Sequence, residues 1–228
     1  MMPIEMEFGF LSPNYWHFQK LPVWLTLTLL ANNDSWQCER PLPESRMTPA
    51  EPTTSQNAFI LESYEGAIAT LTLNRPEARN SLSMGMLDTL FQAITRLSEQ
   101  SDIKVIILAA NGPVFCAGHD LKELTAARSQ PDRGRVFFEK TMVKCSTVMQ
   151  AIIACPKPVI AAVQGTATAA GCQLVASCDL AVAADSANFA TPGVHIGLFC
   201  STPMVALSRN ISRKKAMQML LTGEMVSA

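Results

Sequence analysis

The sequence predicts an α/β domain built around a mostly parallel sheet. Apolar runs of strand length, Val105–Ala109 and Val159–Val163 among them, alternate with segments whose apolar residues recur at helical spacing. Each of those two runs is followed by a turn of small residues that opens into a helix-like pattern. With 228 residues the chain is long enough for one domain with a full core, plus a tail.

Residues 1–56 read as an N-terminal extension outside the fold, disordered or wrongly assigned, with Met47 as an alternative start. Within it, Leu21–Ala31 is apolar but shorter than the roughly 20 residues that cross a bilayer, so no membrane span is expected. It lacks the basic leader and cleavage site of a secretory signal, and the early Glu5 and Glu7 do not suit a transit peptide. Pro41–Gln56 is rich in Pro, Ser, Thr and Glu and reads as a linker.

The core is expected over residues 57–228. Phe59–Tyr64 and Ala67–Leu73 predict two strands joined at Glu65-Gly66, a hairpin signal. Leu87, Leu90, Ile94 and Leu97 fall on one helical face, and Lys104–Leu108 follows as a buried strand. A second helical stripe runs through Phe138, Met142, Cys145, Met149 and Ile152 and stops at Cys155-Pro-Lys-Pro158. Then come a strand over Val159–Val163, a short helix over about Ala169–Ser177, and a strand over Asp179–Ala184. A final helix is predicted over Arg213–Leu221.

Composition narrows the function. A net charge of −1 gives no electrostatic reason for nucleic acid or an anionic membrane surface. The seven cysteines are scattered with no Cys-x-x-Cys pair and the three histidines are dispersed, so no metal site is expected and the thiols read as reduced. No Gly-Lys-Ser/Thr phosphate loop and no Gly-x-Ser-x-Gly elbow is present.

The chemistry concentrates in two runs, Phe115-Cys-Ala-Gly-His-Asp-Leu-Lys-Glu-Leu124 and Gln164-Gly-Thr-Ala-Thr-Ala-Ala-Gly-Cys-Gln-Leu174. Small side chains allow close backbone approach, and the first N–H groups of a helix have no intrahelical acceptor. Two such turns face to face would direct a pair of N–H donors at one oxygen, an oxyanion hole.

Together with Asn74-Arg-Pro-Glu-Ala-Arg-Asn-Ser-Leu82 and Cys178-Asp-Leu-Ala-Val-Ala183, these runs resemble successive signatures of the enoyl-CoA hydratase/isomerase (crotonase) family. The resemblance covers Phe59 to Ala228 in unbroken order. It implies an α/β superhelix of β-β-α units of the ClpP/crotonase type. It implies main-chain N–H donors at His119 and Ala170, with substrate also bordered by Ala78, Arg79, Ala117, Asp120, Leu121, Lys122 and Gly171. The implied ligand is an acyl-CoA thioester, with coenzyme A part of the substrate and no separate cofactor. A role in fatty-acid metabolism is implied, as a homotrimer or hexamer, in the mitochondrial matrix of a eukaryote or the cytoplasm of a bacterium. In the family a further helical region follows the point where this chain stops, and that region is expected to be missing here.

The departures from the family pattern fall on its chemistry. The glutamate usual two residues past the glycine of the second loop is Gln173, and the glutamate of the usual Gln-Pro-Glu segment is Gly193. An amide can hold a water but has no useful basicity, so standard hydration is not expected. Restoring both glutamates is expected to recover it. His119 and His195 are the candidate replacement proton carriers, Asp120 reads as a helix cap, Asp179 as structural and Cys172 as packing. Two readings stay open: a hydratase/isomerase-superfamily enzyme (lyase, isomerase or thioester hydrolase) stabilising an enolate or oxyanion, and a non-catalytic acyl-CoA-binding, regulatory or oligomer subunit.

Overall fold

The computed structural model describes residues 58–228; the expectations for residues 1–56 lie outside the described residues. The chain opens with an antiparallel hairpin, β1 (Ile60–Glu65) and β2 (Ile68–Leu73), turning at Gly66. After a 3₁₀ turn (Pro76–Ala78), helix α1 (Met84–Glu99) buries Met86, Leu87, Leu90, Ala93, Ile94 and Leu97, a face that contains the expected one. Ser83 caps this helix by accepting from the Met86 N–H at 3.2 Å.

From there the chain repeats one pattern of a long strand, a short strand and a helix. Strand β3 (Val105–Ala110) leads to β4 (Val114–Cys116), α2 (Leu121–Ala127) and α3 (Arg135–Ile153). Strand β5 (Val159–Val163) leads to β6 (Thr166–Thr168) and α4 (Ala170–Ser177). Strand β7 (Leu180–Ala183) leads to β8 (Asn188–Ala190), a 3₁₀ turn (Pro192–Ile196) and α5 (Ser201–Asn210). Helix α6 (Arg213–Thr222) and β9 (Val226–Ser227) close the described residues.

The long strands form one sheet in the order β1-β2-β3-β5-β7, parallel apart from the first pair. The short strands form a second sheet, β4-β6-β8-β9, parallel until its last pair. This is the expected β-β-α superhelix. Its short strands span three residues or fewer, too few to carry a period-two pattern, and the sequence reading passed over them, as it did α5.

The core lies between the long-strand sheet and the helices, with Leu71, Leu73, Leu82, Leu90, Ile94, Leu108 and Phe115 fully buried. Helix α3 is rotated from its predicted stripe: Thr141, Cys145, Val148, Met149 and Ile152 face inward, and Met142 is 37% exposed. Among the described residues no helix is long and apolar enough to cross a membrane.

Candidate functional site

The two small-residue turns meet because their strands pair. Val114 lies opposite Thr166 and Cys116 opposite Ala167, so the loops leaving β4 and β6 emerge side by side. Gly118 sits at φ +91°, and a Cβ built there would lie 3.0 Å from the Ala169 Cβ and 3.3 Å from the Ala170 nitrogen. Only glycine permits that contact at that backbone conformation. Thr168 Oγ1 donates to the Ala117 carbonyl across the gap at 3.2 Å.

The first loop is also strapped to the segment after β2. Leu82 N–H donates to the Gly118 carbonyl (2.8 Å) and Asp120 N–H to the Leu82 carbonyl (3.3 Å), bracketing His119. Ala117 N–H donates to the Arg79 carbonyl at 3.1 Å. Asp120 caps α2 as expected, its Oδ1 accepting from the N–H groups of Lys122 and Glu123. Its Oδ2 accepts from Ser81 (3.2 Å) and pairs with Arg75 (3.3 Å), whose guanidinium also lies over the Phe59 ring. The reading of the sequence missed Arg75, Ser81 and Asn80. Asn80 is fully buried in the left-handed conformation, accepting from the Arg75 N–H and donating to the Asn111 and Val114 carbonyls. Its signal was a lone Asn after a Pro-containing turn, the residue type that most readily adopts positive φ.

On this frame the N–H of His119 and that of Ala170, the first residue of α4, have no acceptor among the described residues. Two adjacent free donors of this kind can hold one anionic oxygen. Ala170 has an ordinary backbone; the strain falls on Ala169, at φ +52° and ψ −121°, a region glycine favours. Ala78, Arg79 and Lys122 border the same loops, with the Arg79 and Lys122 side chains exposed and without ion pairs among the described residues. Leu121 is likewise exposed, and Gly171 packs against Cys116.

Two polar side chains of the donor segments carry an unpartnered atom. Burial lowers the His119 imidazole below its usual 6.5, so the ring is neutral at pH 7, and its Nδ1 has no partner among the described residues. Gln173 is 7% exposed and its Oε1 is likewise unpartnered. His195 goes elsewhere: it is exposed, and its Nε2 is 2.9 Å from the Thr222 carbonyl at the end of α6. Asp179 is structural, accepting from the Val159 N–H at 2.8 Å. Burial raises the thiols of Cys116, Cys172 and Cys178 to about 12, which leaves them protonated and poorly nucleophilic.

The Gly193 position corrects one expectation. A Cβ built there would lie 2.4 Å from the Leu198 carbonyl oxygen and 2.7 Å from Cys200 Sγ. The second carboxylate position is therefore closed by backbone, so adding a side chain displaces the loop that would have to support it.

The enoyl-CoA hydratase/isomerase family model matches residues 63–228. Over 180 residues the chain is 51% identical to the rat (Rattus norvegicus) enoyl-CoA hydratase domain-containing protein 3, mitochondrial, a match covering 79% of this chain and 58% of that protein. The human (Homo sapiens) protein of that name is 53% identical over 161 residues, covering 71% of this chain and 52% of that protein. The chain thus spans little more than half the length of these curated relatives. An enoyl-CoA hydratase crystal structure from Mycobacterium smegmatis superposes with a TM-score of 0.70 at 54% identity, covering 75% of this chain and 65% of that one. The crystal structure of human enoyl-CoA hydratase domain-containing protein 3 gives the same TM-score and coverage at 50% identity. The chain belongs to the enoyl-CoA hydratase/isomerase family.

Proposed function

We propose that this member of the enoyl-CoA hydratase/isomerase family binds acyl-CoA thioesters and stabilises negative charge on the thioester oxygen, without carrying out ordinary enoyl-CoA hydration. The observation that carries this reading is the pair of adjacent main-chain donors, His119 and Ala170, left without acceptors among the described residues. Preorganised N–H groups stabilise an enolate or oxyanion directly, and loss of one typically costs about 3–4 kcal/mol of transition-state stabilisation. Because main chain supplies the donors, the unusual side chains at 119 and 170 do not remove them.

The proton chemistry of hydration has lost both supports. Gln173 has no basicity, and Gly193 sits where a side chain meets the Leu198 backbone. Each general acid–base group is worth roughly 10²–10⁴-fold, so hydration should run near background. The neutral His119 ring, with its Nδ1 unpartnered among the described residues, is a candidate proton acceptor. Arg79 and Lys122 are the cations offered to the phosphates of coenzyme A.

Relatives named mitochondrial support a mitochondrial location, and the family supports a place in fatty-acid metabolism and a trimer or hexamer. The test is titration with a short enoyl-CoA, following its conjugated thioester absorbance. The band should shift on binding, because the donors polarise the carbonyl, and should not decay. Absence of any shift would remove the oxyanion-hole reading. Rapid decay would instead make this an active hydratase, with His119 the residue to substitute first.

A further inference from the structure

A carboxylate directly follows the first donor in the chain. Asp120 is the residue after His119, and it is buried. A bare negative charge there would oppose the anionic oxygen that the His119 and Ala170 N–H groups can hold, because a buried charge is screened far less than one in water. Asp120 Oδ1 accepts from the N–H groups of Lys122 and Glu123. Its Oδ2 accepts from the Ser81 hydroxyl at 3.2 Å and pairs with the Arg75 guanidinium at 3.3 Å. Of these four groups only Arg75 brings a full opposite charge.

Arg75 is held in place for that contact. Its N–H donates to the buried Asn80 side chain at 2.8 Å, and its guanidinium lies 5.5 Å from the centre of the Phe59 ring. Glu77, its other carboxylate partner, is farther away at 3.8 Å and 71% exposed. The second acid of the donor loop is also engaged, with Glu123 Oε2 accepting from the Met84 N–H at 2.9 Å.

We propose that Arg75 acts on the thioester site through Asp120, cancelling the carboxylate charge next to the His119 donor so that both N–H groups keep their full pull on the ligand oxygen. Arg75 is then a positioning residue for that site, and the proposal rests on the thioester reading above. A pair that only braced the loop would behave differently from one that sets its charge. Removing either partner of a brace loosens the same loop, so both losses weaken the pull. Charge cancellation gives opposite signs: without Arg75 the carboxylate is bare, and without the carboxylate the guanidinium itself favours the anion.

Titration of the 228-residue protein with crotonyl-CoA, a short enoyl-CoA, tests this through the red shift of the conjugated thioester band at saturation. The urea midpoint of each variant is measured alongside. Arg75→Gln should reduce the saturated shift and Arg75→Lys should keep most of it. Asp120→Asn, which retains a cap acceptor, should enlarge it. Arg75→Gln with Asp120→Asn should return the shift to that of the unmodified protein, although its midpoint stays lower. A reduced shift in Asp120→Asn, or a double variant no better than Arg75→Gln, would overturn the charge role and leave a brace. A saturated shift unchanged in Arg75→Gln would also overturn it, and weaker binding in that variant would then make Arg75 a direct partner of the coenzyme phosphates. No shift in the unmodified protein would overturn the thioester reading itself.

Discussion

At the scale of single residues, Ala169 and Gly193 pull in opposite directions. Ala169 holds a backbone that glycine favours, directly before the Ala170 donor. Strain of this kind costs on the order of 1–3 kcal/mol, partly offset by the greater unfolded-state freedom of glycine. Ala169→Gly should therefore stabilise by about 1 kcal/mol, a rise of roughly 2–4 °C in melting temperature. Gly193 has no such latitude. Gly193→Ala should cost about 1–3 kcal/mol through overpacking against Leu198 and Cys200, and Gln173→Glu with Gly193→Glu should fail to restore hydration. His119 gives a pH signature. Its folded-state value is lowered by burial, so the unfolded chain binds more protons below pH 6.5. Its neutral burial leaves stability intact above that value and erodes it as pH falls toward the lowered one. His119→Leu should flatten the unfolding midpoint over that acidic window, and an unchanged slope would contradict the burial.

At the scale of elements, the Arg75–Leu82 strap is what holds the first donor loop. It contributes the Arg75–Asp120 ion pair, the Ser81 hydroxyl and the Leu82 bridge on either side of His119. Asp120 joins strap, loop and helix, because one carboxylate oxygen caps α2 while the other takes Arg75 and Ser81. Asp120→Ala removes a cap worth about 1 kcal/mol and the nearer of the two carboxylates paired with Arg75, leaving Glu77 at 3.8 Å, so a total of about 2 kcal/mol is expected from the urea midpoint with unchanged slope. Asp120→Asn keeps a cap acceptor and should cost less. A purely local cap would leave Asp120→Asn at the unmodified stability, because asparagine caps as well as aspartate.

For the whole molecule, several large apolar side chains of the described residues are exposed close together. Ile196 is 77% exposed, and Leu198, Phe199, Leu221 and Met225 are exposed around the second 3₁₀ turn, α6 and the segment after it. A patch of this kind drives association. The 228-residue chain should sediment as oligomer or aggregate; a stable, monodisperse monomer would contradict that reading. Leu221→Glu with Phe199→Ser should raise the monomer fraction.

The sequence by itself determined the alternation of long strands and helices, the hairpin and the two small-residue loops. Each of these is written in a window of a dozen residues or fewer, as a period, a turn or a motif. Tertiary structure alone decided what those windows meet. Pairing of Val114 with Thr166 brought the donors together, and Asp120 found Arg75 across 45 residues. Leu198 closed the space at Gly193, while His195 turned toward Thr222 rather than the site. Three-residue strands and a side chain's final neighbour leave no local period to read, because their stability comes from partners distant in sequence.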